Sequence, residues 1–268
     1  MSSPANSASP KHAPRASIAA EPHHRSPPMR FTGYRPAAFT FLRALKRNNR
    51  RDWFEAHRDA YVHELLEPTR ALIEELDVRF GELAPEFVGD PKRSIFRIYR
   101  DVRFSQDKSP YKAHASLWIF HRAPGRGVGK EIDGGAGFYL HLEPGASMVA
   151  GGLWMPPSPS LAKVRAHFDT DLNGWKKAVA GAPFTRRFTK LTDDEPGIML
   201  KRLPRGFAES HPAEPWLRYK SFTVGTGYSD TDMQSAKLVD TAMKDFALML
   251  PMARWLNRAL GYLPATSR

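Results

Sequence analysis

The chain has no cysteine. That excludes disulfides, thiolate metal sites and cysteine nucleophiles, and it suits a reducing compartment. The chain also lacks any apolar run near the ~18 residues that a membrane-spanning helix needs. Its first residues lack the apolar stretch of a secretory signal, so a cytoplasmic location is expected. Familiar catalytic patterns are missing too: there is no G-x-S-x-G elbow, no dinucleotide fingerprint and no H-E-x-x-H. Gly125 to Lys130 glances at a phosphate loop. However, Pro124 stands where the first glycine belongs and Glu131 follows the lysine, so it reads as a glycine-rich loop between strands. Outside the N-terminal tail, where His23 and His24 are adjacent, no paired histidine spacing occurs, so no metal site is expected.

Acidic residues are the scarcer charge. There are 28 Asp and Glu against 40 Lys and Arg, a formal net charge of +12. Such an excess attracts polyanions: nucleic acid, phosphorylated metabolites or acidic membrane surfaces. Hydrophobic residues at 41% and charged residues at 25% are ordinary for a folded domain. The 268 residues suffice for one domain of ordinary to large size, or at most two.

Residues 1–30 are rich in Pro, Ser, Ala, His and Arg and poor in large apolar residues, so they read as a disordered tail. Residues 31–264 read as one α+β domain. Pro36 suits a helix start, with Phe39, Leu42 and Leu45 at helical spacing, and Asn48 and Asn49 break that helix. Asp52 and Glu55 resemble a capping box for a second helix. Pro68 opens a third, carrying Leu72, Ile73, Leu76 and Phe80, which Gly81 and Pro85 close. Alternation then predicts strands over 94–104, 113–120, 138–142, 148–154 and 217–224. Helical spacing returns at 161–168, 175–179 and 231–250, and a last helical turn ends at Gly261. Helices, then strands, then helices imply an antiparallel or mixed sheet packed with N-terminal and C-terminal helices. Asp193 to Glu195 reads as a solvated turn, and the six tryptophans read as core.

The densest chemistry lies between Lys92 and Lys112, where seven Lys and Arg accompany only Asp101 and Asp107. On a strand over 94–104, Phe96, Ile98, Val102 and Phe104 would face the core, and Arg97, Tyr99, Asp101 and Arg103 the other side. Arg100 falls on the apolar side and must be buried and paired, or turned by a bulge. Lys108 and Tyr111 return towards this strand, and Lys112, His114, Tyr139 and His141 would extend one polar face. Arginine forks match phosphate and carboxylate oxygens. Arg97, Arg100, Arg103, Asp107, Lys108 and Lys112 are therefore candidate ligand-binding residues. Asp101, Tyr111 and His114 are candidate acids or bases.

The stretch RIYRDVRFSQDKSPY fits the pattern R-x-x-R-D-x-R-F-x-x-[D/N]-K-x-x-Y. In this it resembles the DUF2461 family of uncharacterised bacterial proteins. NNRRDWFEAHRDAY, GAGFYLHLEPG, LPRGF with the following His211-Pro212, and LRYKSF are similar to that family as well. The resemblance spans roughly residues 35–260. It implies no activity and no cofactor. It marks Arg97, Arg100, Asp101, Arg103, Phe104, Asp107, Lys108 and Tyr111 as patterned positions. Three functions follow from the residues: binding or turnover of a phosphate- or carboxylate-bearing small molecule, nucleic-acid binding on a basic face, or a structural Arg–Asp network with no catalysis.

Overall fold

The computed structural model describes residues 30–103, 107–124, 134–193 and 197–265. The expected N-terminal tail (all but Arg30), Phe104, the glycine-rich loop at 125–133 and the acidic turn at 194–196 lie outside the described residues.

Helix α1, Pro36–Arg47, starts on its proline and buries Ala38, Phe39, Phe41, Leu42 and Leu45 on one side. It stops where the Asn48 side chain donates back to the Ala44 carbonyl at 3.0 Å, competing with the helical pattern. Helix α2, Arg51–Ala56, follows, then the single turn α3, Arg58–Ala60. A π-helical turn, Tyr61–Leu66, leads directly into α4, Glu67–Leu83. The expected capping box does not form. The N-cap of α2 is Arg50, whose guanidinium binds Asp52, while Glu55 pairs with Arg58. In α4, Leu72, Ile73, Leu76 and Phe80 are buried as their spacing predicts, but the helix runs past Gly81 to Leu83.

Five strands follow: β1 Phe87–Val88, β2 Ala115–His121, β3 Gly137–Leu142, β4 Ser147–Leu153 and β5 Phe222–Tyr228. They pair in chain order, every pair antiparallel. Gly145, at φ 78°, turns the β3–β4 hairpin, a backbone region open to glycine without steric cost. Between β4 and β5 lie α5 Ser158–Val179, α6 Ala182–Phe188 and α7 Glu214–Leu217. Helices α8 Asp230–Gln234 and α9 Leu238–Leu260 complete the fold. The fold is thus α+β with an antiparallel sheet.

Three expected boundaries move. The two helical stretches at 161–168 and 175–179 are one helix, α5, kinked at Asp171. The strand expected over 217–224 begins only at Phe222, because Arg218 closes α7 by pairing with Glu214 at 2.7 Å. The amphipathic stretch 231–250 is split at Ser235, so the long helix starts at Leu238 and runs on to the left-handed Gly261.

One face of the sheet meets α4 and α9. Phe138 of β3 lies 5.0 Å from Phe80 and 5.2 Å from Phe246, ring to ring. Trp175 and Trp255 are fully buried where α5 packs on α9. The all-core expectation fails for Trp154, exposed just past β4, and for Trp118, which is only half-buried and lies outside the core cluster. The other sheet face is half-buried and polar, carrying Trp118, Tyr139 and His141. No helix among the described residues is long and apolar enough to cross a membrane.

Candidate functional site

The basic segment is extended but is not a regular strand. It touches the sheet through one isolated bridge, Ile95 to Leu117 of β2, and a second bridge, Tyr99 to Tyr111, joins it to the stretch that leads into β2. Phe96 donates to the Ser116 carbonyl, and Lys112 donates to the Ile98 carbonyl. Between these bonds one residue, Arg97, faces three: Ala113, His114 and Ala115. The partner chain therefore bulges by two residues at a bend, and pairing of 94–104 as one strand is corrected accordingly. The period-two alternation survives on the basic segment itself. Phe96, Ile98, Arg100 and Val102 are partly or wholly buried, and Arg97, Tyr99, Asp101 and Arg103 are exposed.

The bulge divides the polar face that the sequence predicts as one. On one side, Arg100, Lys108 and Tyr111 line an open groove of about 560 Å³. Its other lining residues are Arg51, Glu55, Tyr99, Val102 and Pro110. On the far side of the bulge, Lys112 lies over the Phe96 ring at 5.5 Å. His114 there packs against His141, with ring centroids 4.4 Å apart.

The groove is built from two stretches some fifty residues apart. Phe54, buried on α2, stacks on Tyr111 at 4.1 Å and also meets the rings of Tyr61 and Tyr99. Asn49 locks the same place. Its side-chain oxygen accepts from the Tyr111 N–H at 3.0 Å, and its amide donates to the Tyr111 carbonyl at 2.9 Å. A side chain here completes backbone pairing that a strand would otherwise supply. Arg58 grips Glu55 with two bonds, at 2.9 and 2.8 Å, and also reaches Tyr99.

The charged residues of the motif take different roles. Arg100 is half-buried and pairs with Asp107 at 3.0 Å, as its place on the apolar side demands. Its Nε is buried without a hydrogen-bond partner among the described residues. Asp107 also accepts from the Ser109 N–H, which shapes the turn, and this bond with Arg100's charge lowers its carboxyl below the ordinary value. Lys108 donates to the Val102 carbonyl at 2.9 Å, tying the two limbs together. Arg103 forks onto Asp101 at 3.0 and 2.7 Å, an exposed bidentate pair. That fork, with the Arg103 N–H and the nearby Arg97, holds the Asp101 carboxyl far below the usual range. Such a carboxylate is a weak base, so the geometry favours Asp101 as an orienting anion. Tyr111 is buried beneath Phe54 and serves as a wall. Arg97 is exposed and makes no hydrogen bond or close ion pair among the described residues. The same holds for the Arg51 guanidinium, at the groove's edge.

The sequence reasoning passed over Arg51 and Glu55, although NNRRDWFEAHRDAY was a visible stretch of the resemblance. It also passed over Glu143, although Tyr139, His141 and Glu143 alternate along one strand face. Because the Arg103–Asp101 pair is exposed, Arg103→Ala is expected to leave the urea midpoint within error of wild type. A clear fall in that midpoint would show that the pair holds the fold.

These features define an α+β protein: a five-stranded antiparallel sheet, backed by helices, with a cationic groove between α2 and the Tyr99–Tyr111 bridge. The chain belongs to the DUF2461 family, whose model, described as a conserved hypothetical protein, matches residues 37–255. No curated protein and no solved structure matches the chain.

Proposed function

We propose that the groove between α2 and the Tyr99–Tyr111 bridge binds a small molecule bearing a phosphate or carboxylate group. The observation that carries this reading is the convergence of Arg51, Arg100 and Lys108 on one open concavity. Glu55, the only carboxylate in its lining among the described residues, is already engaged by Arg58. Arg51 makes no hydrogen bond or close ion pair among the described residues and so is available to a ligand anion. Tyr99 and Tyr111 supply flat walls suited to a ring or an apolar stem. Arg103 and Arg97 lie outside the lining and add to the positive field that draws an anion in. The absence of cysteine accords with a cytoplasmic setting for such a protein.

Thermal-shift screening against nucleotides, sugar phosphates, organic acids and short DNA or RNA tests this. A ligand at a hundred times its Kd adds about 2.7 kcal/mol of stability. A small anion is expected to raise the melting temperature of wild type. Arg51→Ala is expected to keep the wild-type melt without ligand and to weaken binding about tenfold or more, the scale of a charged hydrogen bond. Stabilisation by oligonucleotides alone, growing with their length, would replace the small-molecule reading with a nucleic-acid one.

A further inference from the structure

We propose that His114, His141 and Glu143 form a binding site for a divalent transition-metal ion of the zinc class. The expectation of no metal site came from linear spacing, and the three donors are brought together by strand register. In the β2–β3 pairing Ser116 lies opposite His141, and continuing that register sets His114 across from Glu143 on the same face. One donor atom from each of the three lies within 4.8 Å of the others.

The existing separations suit an ion better than a network of hydrogen bonds. His141 Nε2 and Glu143 Oε2 are 3.3 Å apart, long for a charged hydrogen bond. Two ligands bound tetrahedrally at zinc distances of 2.0–2.1 Å stand about 3.3 Å from each other. The ring nitrogens of His114 make no hydrogen bond among the described residues. It sits at the bend just before β2, outside the regular strand pairing.

The surroundings favour a metal-binding tautomer. Tyr139 Oη sits 2.9 Å from His141 Nδ1, and Tyr139 in turn hydrogen-bonds Ser116. With Nδ1–H donating to Tyr139, the lone pair of Nε2 points at the ion, the outer support that metal-bound histidines generally have. Lys46 holds Glu143 through Oε1 at 3.2 Å, which leaves Oε2 for the ion. Lys46, Lys112 and Arg100 make the neighbourhood positive. That charge opposes any cation, so affinity rests on the donors, and two imidazoles with one carboxylate suit zinc better than calcium or magnesium, which need many oxygen donors. Three protein donors leave a fourth tetrahedral position to water or an exchangeable ligand, the arrangement of catalytic zinc sites.

The test is calorimetric titration of ZnCl2 into the full chain, with Co²⁺ visible absorption as a second readout. A variant with His12, His23 and His24 changed to Ala removes the histidines of the first thirty residues. One equivalent of Zn²⁺ is expected to bind both wild type and that variant. His114→Ala, His141→Ala and Glu143→Gln, each in that background, are expected to weaken binding at least about tenfold and to abolish the Co²⁺ band. Circular dichroism checks that each variant is folded. If His141→Ala is not, His114→Ala decides, since its ring makes no hydrogen bond to lose. Arg51→Ala is expected to bind Zn²⁺ as wild type does, which separates this site from the groove. No binding by wild type, loss of binding in the triple variant, or unchanged binding in His114→Ala would each overturn the proposal.

Discussion

Arg187→Ala is expected to destabilise the protein by about 3 kcal/mol, although it lies far from the basic motif in sequence. Its guanidinium forks onto Asp245 of α9 at 2.7 and 2.8 Å, and Tyr228 at the end of β5 donates to the same carboxylate at 2.7 Å. Asp245 is 4% exposed, so the truncation leaves a buried carboxylate held by one hydroxyl. The loss sits at the lower end of the usual range because the outer edge of Arg187 meets solvent. The pairing raises the Arg187 pKa further above its already high value, through the Asp245 bond, so the guanidinium stays charged at any working pH. Urea melts of wild type, Arg187→Ala, Asp245→Ala and the double variant check this. The double variant should lose less than the sum of the two singles, because removing both partners strands no charge. Purely additive losses would show that the two residues act through separate contacts. The contrast with Arg103–Asp101 is the instructive part: the same fork on the same partner type differs in worth through burial alone.

Phe54→Ala is expected to cost about 3–5 kcal/mol, the scale of a buried phenylalanine truncated in a tight core. The ring is 1% exposed and is shared among Tyr111, Tyr61 and Tyr99, so no single neighbour can collapse into the space. The groove should suffer as well, because the stack on Tyr111 sets α2, and with it Arg51 and Glu55, against the motif. Phe54→Leu should recover much of the stability and less of the anion binding. Stability is read from urea melts and binding from calorimetry with whichever anion the screen returns. A loss below about 1 kcal/mol would mean that Asn49 and the α1–α2 turn hold α2 without the ring.

Burial at sheet and helix faces was readable because it repeats along the chain. Phe39, Leu42 and Leu45 share one side of α1, and Leu72, Ile73, Leu76 and Phe80 share one side of α4, as spacing alone dictates. Arg100 was marked for pairing by standing where an apolar residue belongs, and it is paired. The basic segment was misread as a full strand because alternation reports which residues are buried and not which partner supplies the hydrogen bonds. Here two bridges, a bulge and the Asn49 side chain supply them.

What the sequence by itself determined, then, is local: the α+β order of elements, the family membership over residues 37–255, and a cluster of cations too dense for its own two carboxylates. The tertiary structure decided the rest, because the deciding contacts join residues far apart in the chain. Arg51 and Glu55 reach the motif only after α2 packs Phe54 on Tyr111. His114 meets His141 and Glu143 only after β2 and β3 find their register. Loop closure and sheet register have no period in a single sequence. They are set by which buried surfaces fit, and that fit exists only once the core has formed.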